Sequence, residues 1–161
     1  MSENILVVIL MGSASDLPHI EKITSILDEL GIPYQTRVSS AHKTPTRLLQ
    51  ILSEYEADKS AKVYITVAGR SNALSGMVDA QVQSPVIACP PPSSSFAGAD
   101  IYSSLRMPSG VCPMVVLEPG NCALAAAKIL ALSDPNLQKK IGNLQAGYAA
   151  RVNQADADLN D

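Results

Sequence analysis

Only two histidines occur in the chain, and one of them, His42, has a setting suited to moving protons. It lies in Ser39-Ser40-Ala41-His42-Lys43-Thr44, among small residues and just before a helix start. Imidazole, with a reference pKa of about 6.5, both takes and gives protons near neutrality. Lys43 beside it is placed to meet an anion. A loop histidine is also an ordinary surface residue in many proteins, so both readings stand on residue type alone. A second polar segment, Gly12-Ser13-Ala14-Ser15-Asp16, joins an apolar run to a helix start. Its glycine and small hydroxyls let backbone N–H groups and the positive helix end reach an anion. Asp16 suits the hydroxyls of a sugar; equally, Ser15 or Asp16 suits simple capping of the helix. A third segment, Gly69-Arg70-Ser71-Asn72, offers a guanidinium fork for phosphate or carboxylate, with neutral donors beside it. That arginine also suits a pairing with a carboxylate across a sheet edge. Arg106 is a further cation, in a segment suited to a lid or a subunit contact.

Composition narrows the chemistry. The chain has 161 residues, 47% of them hydrophobic and 17% charged, which fits one globular domain spanning 1–161 with no linker or repeat. A net charge of −3 argues against nucleic-acid binding, which needs a basic face. Three cysteines without a CxxC pair, and histidines outside HxH or HExxH spacing, exclude a disulfide framework and an imidazole-based metal site. Cys89, Cys112 and Cys122 read as small core residues, and His19 as solvated or interfacial. The apolar run Ile5 to Met11 is too short to cross a membrane and follows no basic segment, so a cytoplasmic protein is expected.

The elements that must position the three segments follow from periodicity. Ile5 to Met11 is a continuous β-branched run, as in a strand covered on both faces. Leu17, Ile20, Ile23, Ile26, Leu27 and Leu30 recur at helical spacing before Gly31. Ile32 to Val38 reads as a second strand. Thr44-Pro45 then opens a helix with Leu48, Leu49, Ile51, Leu52 and Tyr55 on its buried face. Lys62 to Ala68 is a third strand, 71–82 a helix weakened by Gly76, and Val86 to Cys89 a fourth strand. Pro90-Pro91-Pro92-Ser93-Ser94-Ser95 is irregular, since three prolines remove three donors. Met114 to Leu117 is a fifth strand, and Asn121 to about Leu132 a helix. From Ser133-Asp134-Pro135 a long helix carries Leu137, Ile141, Leu144, Tyr148 and Val152 on one stripe, long enough to pack partly on another subunit. The acidic end, 155–161, is expected to fray. Alternating strand and helix predict an α/β, three-layer αβα fold: a flavodoxin-like, doubly wound parallel five-stranded sheet with an extra C-terminal helix. In such sheets ligands bind outside the carboxyl ends of the strands, where the three polar segments fall.

The ordered motifs Met11-Gly12-Ser13-Ala14-Ser15-Asp16, Ser40-Ala41-His42-Lys43-Thr44-Pro45 and Ala68-Gly69-Arg70-Ser71-Asn72 resemble those of the phosphoribosylaminoimidazole carboxylase family. The resemblance continues through Cys89-Pro90-Pro91 and Ser103-Ser104-Leu105-Arg106-Met107-Pro108-Ser109-Gly110, to about residue 150. Class I members, the carboxyaminoimidazole ribonucleotide mutases, carry Ser-Ala-His-Arg-Thr-Pro and a second histidine in a glycine-rich third loop. Lys43 and the histidine-free Gly69-Arg70-Ser71-Asn72 look like class II, which uses carbon dioxide directly; Ser75-Gly76-Met77 looks more like class I. The resemblance implies carboxylation of aminoimidazole ribonucleotide by CO2 without ATP, biotin or metal, with His42 as general acid and base. It implies that Ser13 and Asp16, with Gly12 and Ser15 in their loop, hold the phosphoribosyl group. It implies that Ser40 and Lys43 flank phosphate or carboxylate, and that Gly69, Ser71 and Arg70 line the carbon dioxide position. It further implies a homo-oligomer, tetramer or octamer. The competing readings are the mutase and a non-enzymatic flavodoxin-like module. Against the latter, aromatic residues are only 4%, too few to stack a flavin, and the third loop lacks the aspartate of a phosphorylated receiver.

Overall fold

The computed structural model describes residues 4–93 and 95–160. Ser94 and Asp161, assigned above to the irregular segment and the tail, lie outside the described residues. The interior strand β1 (Ile5–Met11) is the β-branched run, and its side chains alternate between two covered faces. Val7, Ile9 and Met11 join one core cluster, under α1 (Leu17–Leu30), α5 (Pro119–Leu130) and the start of α6 (Pro135–Asn160). Val8 and Leu10 join the other, under α2 (Pro45–Ala57) and α3 (Ala73–Asp79). Each such buried side chain stabilises the fold by about 1.5–3 kcal/mol of transfer free energy.

β2 (Tyr34–Val38), β3 (Ala61–Val67), β4 (Val86–Ala88) and β5 (Met114–Val115) complete a sheet ordered β2-β1-β3-β4-β5, every pair parallel. This is the doubly wound αβα architecture that the strand and helix alternation predicts. The edge strands are shorter than their apolar runs. Ile32 is buried but precedes β2, and Val116 still donates to Ala88 O (3.0 Å) after β5 ends. α1 stops at Gly31, whose φ of 68° lets the N–H groups of Gly31 and Ile32 close on Asp28 O and Leu27 O.

Several expected faces are revised. Leu49 and Leu17 are exposed, because each stands off the stripe that meets the sheet. Cys112 is exposed rather than core, on the irregular stretch between the short helix α4 (Tyr102–Leu105) and β5. His19 is buried, at 9% exposure, because its position in the first turn of α1 faces the sheet. Residues 155–160 continue α6 rather than fray, supported by Gln154 Nε2 donating to Asp158 (2.7 Å) and Asn160 Nδ2 to Asp156 O (2.7 Å). Among the described residues, no helix is long and apolar enough to cross a membrane.

Candidate active site

The register of the sheet brings the three polar segments to one level. Met11 lies opposite both Val38 and Val67, so β1, β2 and β3 end together. Ser39 N then donates to Met11 O (2.9 Å) and Gly12 N to Val67 O (3.0 Å), so the loops leave side by side. A Cβ built on Gly12 would sit 3.7 Å from Ala68 Cβ, so the first and third loops are in contact.

In the second loop, Thr44 does not cap α2 with its side chain. Its hydroxyl instead accepts from Ser40 N (3.0 Å) and lies 3.1 Å from Ser39 Oγ. Thr44 N donates to Ser40 O (2.8 Å), and Lys43 N to Ser40 Oγ (3.2 Å). Ser40 and Thr44 thereby close a turn with His42 and Lys43 at its exposed tip. Pro45 fixes the first helical φ directly behind it. His42 makes no hydrogen bond to another described residue, so its ring is uncommitted among them. That is the state a proton carrier needs before substrate arrives.

In the first loop, Ser13 rather than Asp16 does the capping: Ser13 Oγ accepts from Ser15 N (3.3 Å) and Ser15 Oγ (2.9 Å). Asp16 precedes α1 without a capping bond of its own. Partial burial holds its carboxyl above the usual carboxylate range, while a Ser13 backbone hydrogen bond and the His19 charge pull it back down. In the third loop the strain falls on Arg70, not on Gly69. Arg70 takes a φ of 59°, a left-handed conformation disfavoured for a side-chain-bearing residue. Its backbone is pinned on both sides: Arg70 N donates to Asp100 Oδ2 (3.1 Å), and Ser103 Oγ donates to Arg70 O (3.1 Å). Buried Asn72 adds Nδ2 to Ser104 Oγ (2.9 Å) and accepts from Ser75 N (3.2 Å). Sequence reasoning missed Asp100, which sits outside any motif thirty residues on. The guanidinium of Arg70 makes no ion pair with another described residue, so the cross-sheet pairing considered above does not form.

A cavity of about 320 Å³ opens beside Gly69, walled by Pro90, Pro91, Pro92, Asp100 and Ser103. Arg106 lies across a shallower groove that also contains Ser71 and Asn72. Met107 of the same segment packs on α3, its Sδ 3.1 Å from where a Cβ on Gly76 would be, which explains the glycine in that helix. Larger hollows of about 460 and 750 Å³ lie at the opposite end of the strands and against α1, and no candidate residue lines either. Position at the strand tips, not volume, marks the site.

Such an edge makes the chain a doubly wound α/β protein with three polar loops gathered at the carboxyl ends of its strands, where ligands of such sheets bind. The AIR carboxylase family model matches residues 6–151, and the chain belongs to that family. A phosphoribosylaminoimidazole carboxylase of Treponema denticola is 54% identical over 96% of this chain and 97% of its own. One of Archaeoglobus fulgidus is 53% identical over 98% of this chain and 86% of its own. The crystal structure of Treponema denticola PurE superposes with a TM-score of 0.95 over 98% of this chain and 99% of that one, at 54% identity.

Proposed function

We propose that this protein catalyses the reversible, ATP-independent carboxylation of 5-aminoimidazole ribonucleotide by CO2, a step of purine biosynthesis, in the cytoplasm. The observation that carries the proposal is the uncommitted His42 ring on its braced turn, in a chain 54% identical to a named carboxylase. An aminoimidazole is an electron-rich enamine, so its ring carbon attacks CO2 unaided. The new carbon–carbon bond leaves that carbon bearing both a hydrogen and the carboxylate. Neutral His42 removes the proton, the electron pair returns to the ring and aromaticity is restored. In reverse, the imidazolium protonates the same carbon and CO2 departs. Ser13 and Asp16, with Gly12 and Ser15, hold the phosphoribosyl group. Ser40 and Lys43 flank phosphate or the nascent carboxylate. Gly69 and Ser71 offer donors at the CO2 position, and Arg70 clamps the anion. The chain works as a homo-oligomer, a reading supported by the apolar residues left uncovered on α6, Tyr148 and Val152.

The histidine-free third loop favours direct use of CO2 over the mutase reaction. The test is purified protein with aminoimidazole ribonucleotide and bicarbonate, without ATP. Carboxylated product at low bicarbonate is expected. Turnover confined to the N-carboxylated ribonucleotide would reassign the chain to the mutase class, and no turnover of either would overturn the proposal.

A further inference from the structure

Arg70 combines two features that a loop residue rarely needs together, a left-handed backbone and a charged side chain. Glycine adopts that backbone freely, and Gly69 stands next to it, yet the left-handed position falls one residue later. A turn alone would place glycine at position 70. A cation alone would sit at an ordinary φ. An arginine in this conformation persists only where its surroundings over-determine it.

One short segment does so. Asp100 Oδ2 accepts from Arg70 N (3.1 Å). The Ser103 hydroxyl accepts from Asn72 N (2.9 Å) and donates toward Asp100 O (2.7 Å) and Arg70 O (3.1 Å). Three successive peptide units beyond Gly69 are thus gripped from Asp100 and Ser103. Of the N–H groups of residues 70 to 72, that of Ser71 alone is left without a partner among the described residues. The chain reaches Asp100 through Phe96, Ala97 and Gly98, at φ of 55°, 50° and 79°, so strain is held on both sides of the Asp100 to Arg70 bond.

Which group Asp100 takes matters as much as the hold. It and Arg70 are neighbours of opposite sign, but the carboxylate engages the amide, and the guanidinium forms no ion pair among the described residues. A carboxylate on the guanidinium would neutralise the cation before any anion arrived. On the amide it fixes the arginine and leaves the fork open. Asp100 is also the one charged residue among the described walls of the cavity beside Gly69. A negative group there repels an anion, which argues for a holding role over ligand contact.

We propose that Asp100 is the positioning residue of the third loop: through the amide it holds Arg70 left-handed, so that the guanidinium and the Ser71 N–H stand ready for CO2 or the nascent carboxylate before either arrives. That the loop serves carboxylation rests on the proposed function; the hold on the backbone does not.

The experiment compares Asp100→Ala, which removes the acceptor, with Asp100→Asn, which keeps an acceptor oxygen and removes the charge. Both are made in the full chain, with circular dichroism verifying the fold. Trypsin reads the hold directly, because Arg70 is exposed and is itself a cleavage residue. Under native conditions Asp100→Ala should be cut after Arg70 on the order of tenfold faster than wild type, with Arg47 and Arg151 unaffected and Asp100→Asn near wild type. In the ATP-free assay Asp100→Ala should raise the KM for CO2 on the order of tenfold while kcat changes less than about threefold, and Asp100→Asn should restore the KM. A merely structural role would lower kcat and open all sites alike. Cutting after Arg70 at the wild-type rate in Asp100→Ala, or an Asp100→Asn variant as defective as Asp100→Ala, would overturn the proposal. A wild-type chain without turnover would instead overturn the proposed function, and cutting after Arg70 would still decide the hold.

Discussion

A solvent-exposed imidazole contributes to catalysis only if its position is held, and at His42 the holding is done by the backbone. The Ser40–Thr44 bonds brace the turn while the ring itself is left unengaged. Replacing His42 by Asn should therefore leave fold and ribonucleotide binding in place and lower turnover by about 10²–10⁴-fold. Calorimetric binding beside a steady-state assay checks it, and unchanged turnover removes His42 from the mechanism. Asp16 behaves differently, because partial burial raises its pKa despite the Ser13 hydrogen bond and the His19 charge. A carboxyl that binds its proton more readily in the folded state subtracts from stability when ionised. That loss is complete above the folded-state pKa and vanishes as pH falls below the unfolded value of about 3.9. Asp16→Asn should thus raise Tm slightly at pH 7, with the gain fading toward pH 3.5, and weaken ribonucleotide binding at the same time. Melting curves at the two pH values, with a KM at pH 7, test both halves; a lower Tm at pH 7 would contradict the sign.

Among the elements, the third loop depends on a helix too short to be seen in the sequence. α4 is four residues long, yet its Ser103 and Ser104 fix Arg70 and Asn72. Asn72→Ala strips Ser104 Oγ and Ser75 N of a buried partner. It should cost about 1–3 kcal/mol and, by loosening α4 and with it the Ser103 hold on Arg70 O, partly release that loop. Denaturant unfolding checks the cost, and a rise in KM larger than the fall in kcat checks the release. The strands, their order and the gathering of three polar loops at one edge were legible in the sequence, because continuous β-branched runs between amphipathic helices leave few topologies. His42 and Arg70 could be singled out as candidates for the same reason: each lies in a loop that leaves a strand end. Asp100 and the contact of His19 with Cys89 were not legible. Both join positions 30 or 70 residues apart, and only packing sets them side by side. His19 shows the limit of residue type as a guide. A polar residue on the inner turn of an otherwise apolar stripe is read as solvated until its buried partner is known.

For the molecule as a whole, α6 raises a question of proportion. Its 26 residues span about 39 Å at 1.5 Å per residue, longer than the sheet it covers. Leu137, Ile141 and Leu144 bury against the core, and Lys140 Nζ donates to Leu30 O (2.8 Å) at the end of α1. Past Leu144 the same stripe continues through Tyr148 and Val152, which are 40% and 69% exposed. In the proposed homo-oligomer, the uncovered second half of this stripe is the part expected to meet another copy. Tyr148 also lines the hollow against α1 with Glu21, Lys22 and Glu118, so a mating surface there would carry both signs of charge. The expected light-scattering mass is a whole multiple of 17.0 kDa, held at micromolar concentration. Val152→Glu should shift that mass toward the single chain, since it places a charge in an apolar contact while touching nothing in the monomer core. If activity falls in step with the mass, the site depends on the assembly; if the wild-type chain is already monomeric with full turnover, the α6 stripe has no such role.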